Sequence, residues 1–116
     1  MFAIEEEEKI GGRRSSKEEE VEEEEKEARE VILLVDDQPM NIEVLRMLLT
    51  KKLNKEVEFY YSGHDAIQGL NNIIRQHRLG RRSLRLLVLM DVNMPVMDGI
   101  ETTLRMKELL ETTWNI

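Results

Sequence analysis

The sequence predicts an α/β protein built on a short parallel sheet, and two observations carry that expectation. Val31-Ile32-Leu33-Leu34-Val35 and Leu86-Leu87-Val88-Leu89-Met90 are apolar runs without polar alternation, the pattern of strands buried on both faces. Each run ends directly in acid: Asp36-Asp37 after the first, and Asp91 followed by Val92-Asn93-Met94-Pro95-Val96-Met97-Asp98-Gly99 after the second. Ligands of such sheets gather at the carboxyl ends of the strands, so three carboxylates are expected to meet on one edge.

The first 30 residues read as a Glu-rich leader. They hold 13 acidic and 6 basic side chains, so the whole net charge of −7 sits there and the other residues are formally neutral. Repelling charges with few apolar residues do not offset ordering entropy, which predicts a disordered or partly helical linker over residues 1–30. Lys26 can meet Glu22 and Glu30 at i,i+4 spacing, so residues 17–30 are the helical part of that expectation.

After the first strand, Pro39 pre-sets a helix start, and Ile42, Leu45, Leu48 and Leu49 give residues 41–53 an apolar stripe. Residues 56–61 alternate, with Val57, Phe59 and Tyr61 on one side and Glu58 and Tyr60 on the other, as in a strand near a sheet edge. Ser62-Gly63-His64-Asp65 reads as a capping box opening a helix whose buried face is Ala66, Ile67, Leu70, Ile73 and Ile74. Arg75, Arg78, Arg81, Arg82 and Arg85 form a basic patch suited to a helix end and to solvent, with an acidic partner or the chain's own Glu-rich leader as the alternative. Past Asp91, Met94-Pro95 and Asp98-Gly99 make a turn, Met94 and Met97 pack the loop, and residues 100–110 resume helical character through Ile100, Leu104 and the Leu109-Leu110 pair.

Val-Asp-Asp after a first strand and Met-Asp-Val-Asn-Met-Pro-Val-Met-Asp-Gly after a third resemble the receiver domain of two-component response regulators, particularly receivers of hybrid histidine kinases. The resemblance runs from Val31 to the end of the chain. It implies a partial flavodoxin-like fold over residues 31–116, three parallel strands lying second-first-third with flanking helices, or the N-terminal three-fifths of a receiver. It also implies that Asp91 accepts a phosphoryl group, that Asp37 binds Mg²⁺ directly and Asp36 mainly through water, and that Asp91 and the Asn93 backbone carbonyl complete the metal site. A histidine kinase or histidine-phosphotransfer protein is the implied partner.

A full receiver carries a Ser or Thr after its fourth strand and a Lys after its fifth. Trp114-Asn115-Ile116 falls about where the fourth strand would begin, so the chain is expected to lack both groups, with weakened Mg²⁺ binding and slow or absent phosphotransfer. Thr112, Thr113, Lys51, Lys52 and Lys107 are poor substitutes by position. His64 and His77 are expected at the surface rather than as phosphate donors. The third strand is expected to present an open edge, making self-association through it the structural hazard.

The competing reading is a non-catalytic receiver remnant that docks a kinase or another partner. A haloacid-dehalogenase-like phosphatase is disfavoured because that family places a second Asp two residues after its nucleophile, where Asn93 stands. The phosphoacceptor reading makes the chain a signalling module rather than a turnover enzyme. Its acidity disfavours nucleic acid as a partner, there is no cysteine, and no apolar stretch has the length of a membrane span, so a cytoplasmic protein is expected.

Overall fold

The computed structural model describes residues 2–8, 29–78 and 83–114. In chain order the elements are β1 (Phe2–Glu8), β2 (Arg29–Val35), α1 (Pro39–Met47, continued by a π-helical turn over Leu48–Lys52), β3 (Glu56–Tyr60), α2 (Gly63–Arg78), β4 (Leu84–Met90) and α3 (Gly99–Trp114). Four strands form one sheet in the order β1-β4-β2-β3. β2 is central and pairs in parallel with β3 on one side and β4 on the other. That is the second-first-third arrangement expected for the parallel strands.

β1 departs from the sequence reading. Phe2–Glu8 is a strand, antiparallel to β4 in a register that sets Phe2 against Met90 and Glu7 against Arg85. Two forces place it there: Ile4 is buried in the main core, and Arg85 bonds Glu7 directly across the strands at 3.2 Å. The open edge expected at β4 is therefore covered, and self-association through it loses its basis. The rest of the leader, residues 9–28, lies outside the described residues, as do Arg81 and Arg82 of the basic patch.

The two sheet faces are covered unequally. On one, Leu33, Val35, Leu86, Val88 and Met90 pack with Ala66, Leu70, Ile73 and Ile74 of α2 and Met106 and Leu110 of α3. On the other, Ile32 and Leu34 pack against Ile42 of α1, with Leu45, Leu49, Val57, Leu87 and Leu89 only partly covered. Burying Ile42 contributes about 2 kcal/mol to holding α1 down. Leu48 does not join that stripe. The wider π turn rotates it outward and leaves it 48% exposed.

Ile100 and Leu104 are also exposed, and Thr102 and Met106 line the inner face of α3. Thr102 can be buried because its hydroxyl donates to the Asp98 carbonyl at 2.7 Å. Gly63 makes room for it, since a methyl group there would overlap the Thr102 hydroxyl. His77 is buried and engaged rather than at the surface. The capping box holds in half, with the Asp65 amide donating to Ser62 Oγ at 3.1 Å.

Candidate functional site

The acids converge as the two strand-end patterns require. β2 delivers Asp36 and Asp37, β4 delivers Asp91, and the Asp91 amide donates to the Val35 carbonyl at 2.8 Å, tying the two strand ends together. Ligand oxygens of Asp36, Asp37 and Asp91 all lie within 4.8 Å of one another. Asp36 is 2% exposed and fully engaged, accepting from the Gln38 amide at 2.9 Å and from Asn41 Nδ2 at 3.0 Å. Asp37 and Asp91 are half-buried.

Burial raises the Asp91 carboxyl above the ordinary carboxylate range, and the neighbouring charges of Asp36 and Asp37 push it in the same direction. The Asn93 amide, 3.4 Å from Asp91 Oδ1, acts against them. Three like charges held this close are unfavourable until a cation screens them. Mg²⁺ takes carboxylate oxygens and retains water, so a half-open triad of oxygen donors fits it.

The loop after Asp91 is bent by several constraints. Gly99 donates its amide to the Val92 carbonyl at 2.8 Å, and a methyl group at 99 would overlap the Asp91 carbonyl oxygen. The glycine following Asp98 thus holds the helix start against Asp91. Asp98 caps α3, its Oδ1 accepting from the Glu101 amide at 2.8 Å. Val96 sits at φ 71°, 94% exposed, at the centre of a three-residue turn closed by Met97 N–H to the Pro95 carbonyl at 2.8 Å. A β-branched residue there is strained, and its strain was not legible in the sequence. Met94 and Met97 are buried and pack the loop as expected.

Thr112 is occupied elsewhere, its hydroxyl donating to the Glu108 and Leu109 carbonyls of its own helix. Lys51, Lys52 and Lys107 are exposed on their helices.

A three-layered α/β sheet with paired acids at one strand end and a single acid at the next is the arrangement of a receiver domain. The response regulator receiver domain family model matches residues 32–115, and the chain belongs to that family. Among solved structures, it resembles the receiver domain of the histidine kinase CKI1 from Arabidopsis thaliana, crystallised with Mg²⁺ and BeF₃⁻. That match has 29% identity and a TM-score of 0.56, covering 71% of this chain and 57% of that one. Among curated proteins it is 37% identical over 73 residues to a protein-glutamate methylesterase/protein-glutamine glutaminase of Mesorhizobium japonicum, spanning 62% of this chain but 19% of that protein. The chain thus spans 57% of the one relative's length and 19% of the other's. Among the described residues, no helix is long and apolar enough to cross a membrane.

Proposed function

We propose that the chain is a phosphoacceptor module of a two-component phosphorelay, with Asp91 as the acceptor. The observation that carries this is the crowding of three carboxylates at the carboxyl edge, with Asp91 the one whose pKa is raised by burial and by the other two. An Asp91 carboxylate oxygen attacks the phosphorus of a phosphohistidine, the N–P bond breaks, and an acyl phosphate forms while the imidazole keeps the bonding pair and takes a proton. The donor is a histidine kinase or a histidine-phosphotransfer protein.

Asp36, Asp37, Asp91 and the Asn93 backbone carbonyl are the groups that would hold Mg²⁺. When bound, the ion neutralises the charge that otherwise keeps a phosphoryl group away from carboxylates. Asp36 works mainly by position: its two oxygens already accept two hydrogen bonds, which fix the turn from β2 into α1. Asp37, half-buried beside it, would be the direct ligand.

Incubation with acetyl phosphate and Mg²⁺, followed by intact mass, tests the proposal. A labile adduct of one phosphoryl group is expected in the parent and none in Asp91→Asn. An adduct of equal yield in Asp91→Asn, or none in the parent under conditions that modify another receiver, overturns it.

One observation favours a second reading, docking without transfer. Met40, Val44 and Met47 lie exposed along the outer side of α1, beside the acidic edge. Kinase binding that persists in a chain never phosphorylated would select that reading.

A further inference from the structure

The other edge of the sheet is open. β3 pairs with β2 on one side and with no strand among the described residues on the other. The Asp36 amide donates to the Tyr60 carbonyl at 3.1 Å, which sets the phase of the ladder. Glu56, Glu58 and Tyr60 turn their backbone groups toward β2, and Val57 and Phe59 turn theirs outward. A row of unpaired N–H and C=O groups is a template for another extended chain.

Beside that edge runs a cleft of about 420 Å³ between β3 and α2. Glu58 and Tyr60 form one wall. Asp65, Gln68, Asn72 and Gln76, spaced three or four apart on one face of α2, form the other. Gly69 gives the cleft its shape, because the Tyr60 phenol lies against the helix backbone where any Cβ would overlap it. From there the Tyr60 hydroxyl donates to Glu58 Oε1 at 2.7 Å. Burial, then Glu58, raise the pKa of the phenol, so it remains a donor and leaves Glu58 acceptor positions to spare.

Among the described residues, the lining of the cleft includes two carboxylates and no Lys, Arg or His. Arg29, the cation whose field reaches Glu58, is held by Glu56 through hydrogen bonds of 3.2 and 2.7 Å. Uncharged amides fill the space between the acids. Charge complementarity therefore selects a cationic occupant, and the open edge selects an extended one.

We propose that this cleft binds a basic peptide segment in extended form. Its backbone adds to β3 at Val57 and Phe59, and alternate Lys or Arg side chains reach Glu58 and Asp65 past the amides of Gln68, Asn72 and Gln76. Side chains of an added strand alternate between faces, so every second residue points into the cleft. Neither the phosphoacceptor site nor its metal takes part.

The test uses the full chain carrying Asp91→Asn and a short fluorescein-labelled peptide of alternating Lys and Thr, read by fluorescence polarisation and by amide cross-peaks in NMR. Saturable binding is expected, with shifts at the side-chain amides of Gln68, Asn72 and Gln76, and about tenfold weaker binding in the E58Q/D65N double variant. Two peptides N-methylated at alternate residues, in opposite phases, separate strand addition from charge attraction: one phase should lose binding and the other keep it. Failure to bind, equal affinity for a Glu-Thr peptide, equal loss in neither or both N-methyl phases, or unchanged affinity in E58Q/D65N overturns the proposal. So do shifts confined to Asp36, Asp37 and residue 91, and so does pairing of β3 with β3 of a second copy in place of peptide binding.

Discussion

The two ends of the parallel strands carry similar numbers of acids and treat them in opposite ways. At the amino ends, Arg29 pairs with Glu56 at 2.7 Å, Lys55 with Glu30 at 2.9 Å, and Arg85 with both Glu30 and Glu7 at 2.9 and 3.2 Å. At the carboxyl ends, Asp36, Asp37 and Asp91 crowd within 4.8 Å and the carboxyl of Asp91 is raised by burial and by its neighbours. Matched charges on a surface hold strands in register and contribute little energy. Unmatched charges held close destabilise the fold, and a protein that retains them at a strand end is poised for a cation or a reaction.

The change expected to break this contrast most severely is Gly99→Ala. The added methyl group meets the Asp91 carbonyl oxygen, backbone that cannot swing aside. Destabilisation of about 3 kcal/mol, measured by urea unfolding, and loss of the phosphoryl adduct should accompany each other. Next comes the ion itself. Mg²⁺ at ten times its dissociation constant should stabilise the parent by about 1.4 kcal/mol and leave Asp37→Asn close to unchanged, as read by thermal melts.

Val96→Asn comes third. Replacing a β-branched residue at φ 71° with one that tolerates positive φ should stabilise by about 1 kcal/mol in the same unfolding assay, without altering Mg²⁺ binding.

Asp91→Asn sharpens the contrast through pH. A raised carboxyl means that the native state binds its proton more tightly than the unfolded chain does. Its contribution to stability is therefore complete below the unfolded carboxylate pKa and is lost as pH rises through the folded value. The Asn variant should melt higher than the parent at neutral pH without Mg²⁺, and the gap should close as pH falls below about 4. Smallest of all is Arg29→Met at the matched end. About 0.5 kcal/mol should be lost at low salt and close to nothing at high salt, measured by chemical unfolding.

Sequence alone carried the acidic end far. Two buried runs ending in acid define strand ends, and strand ends in a parallel sheet share an edge, so Asp36, Asp37 and Asp91 could be brought together without coordinates. The amino end was less legible. Glu5 to Glu8 reads as a solvated run because local composition weighs charge against ordering entropy and cannot count an arginine more than 70 residues away. In the fold, one apolar residue, Ile4, and one partner, Arg85, turn that run into a strand. Those two positions are the signal that a reading restricted to neighbours misses, although Arg85 belongs to the basic patch whose charge complements the leader.

The inner face of the last helix was not legible from apolar spacing. α3 approaches α2 closely through Gly63, and a threonine whose hydroxyl is satisfied within its own helix fits that approach better than a branched aliphatic side chain. Likewise Leu48 belongs to the apolar stripe only if the helix keeps its ordinary pitch, and it does not.

β1 has a consequence for the order in which the molecule assembles. Its ladder joins Phe2 to Met90, so β1, synthesised before the other three strands, has no partner until β4 has followed it. Pairing so distant in sequence forms late, after local helices and the β2-α1-β3 unit have had time to collapse. During that interval β4 has a bare flank in the nascent chain. Docking of Phe2–Glu8 therefore comes late and covers the β4 edge, and slowing that step lengthens the period in which the young chain is open to aggregation.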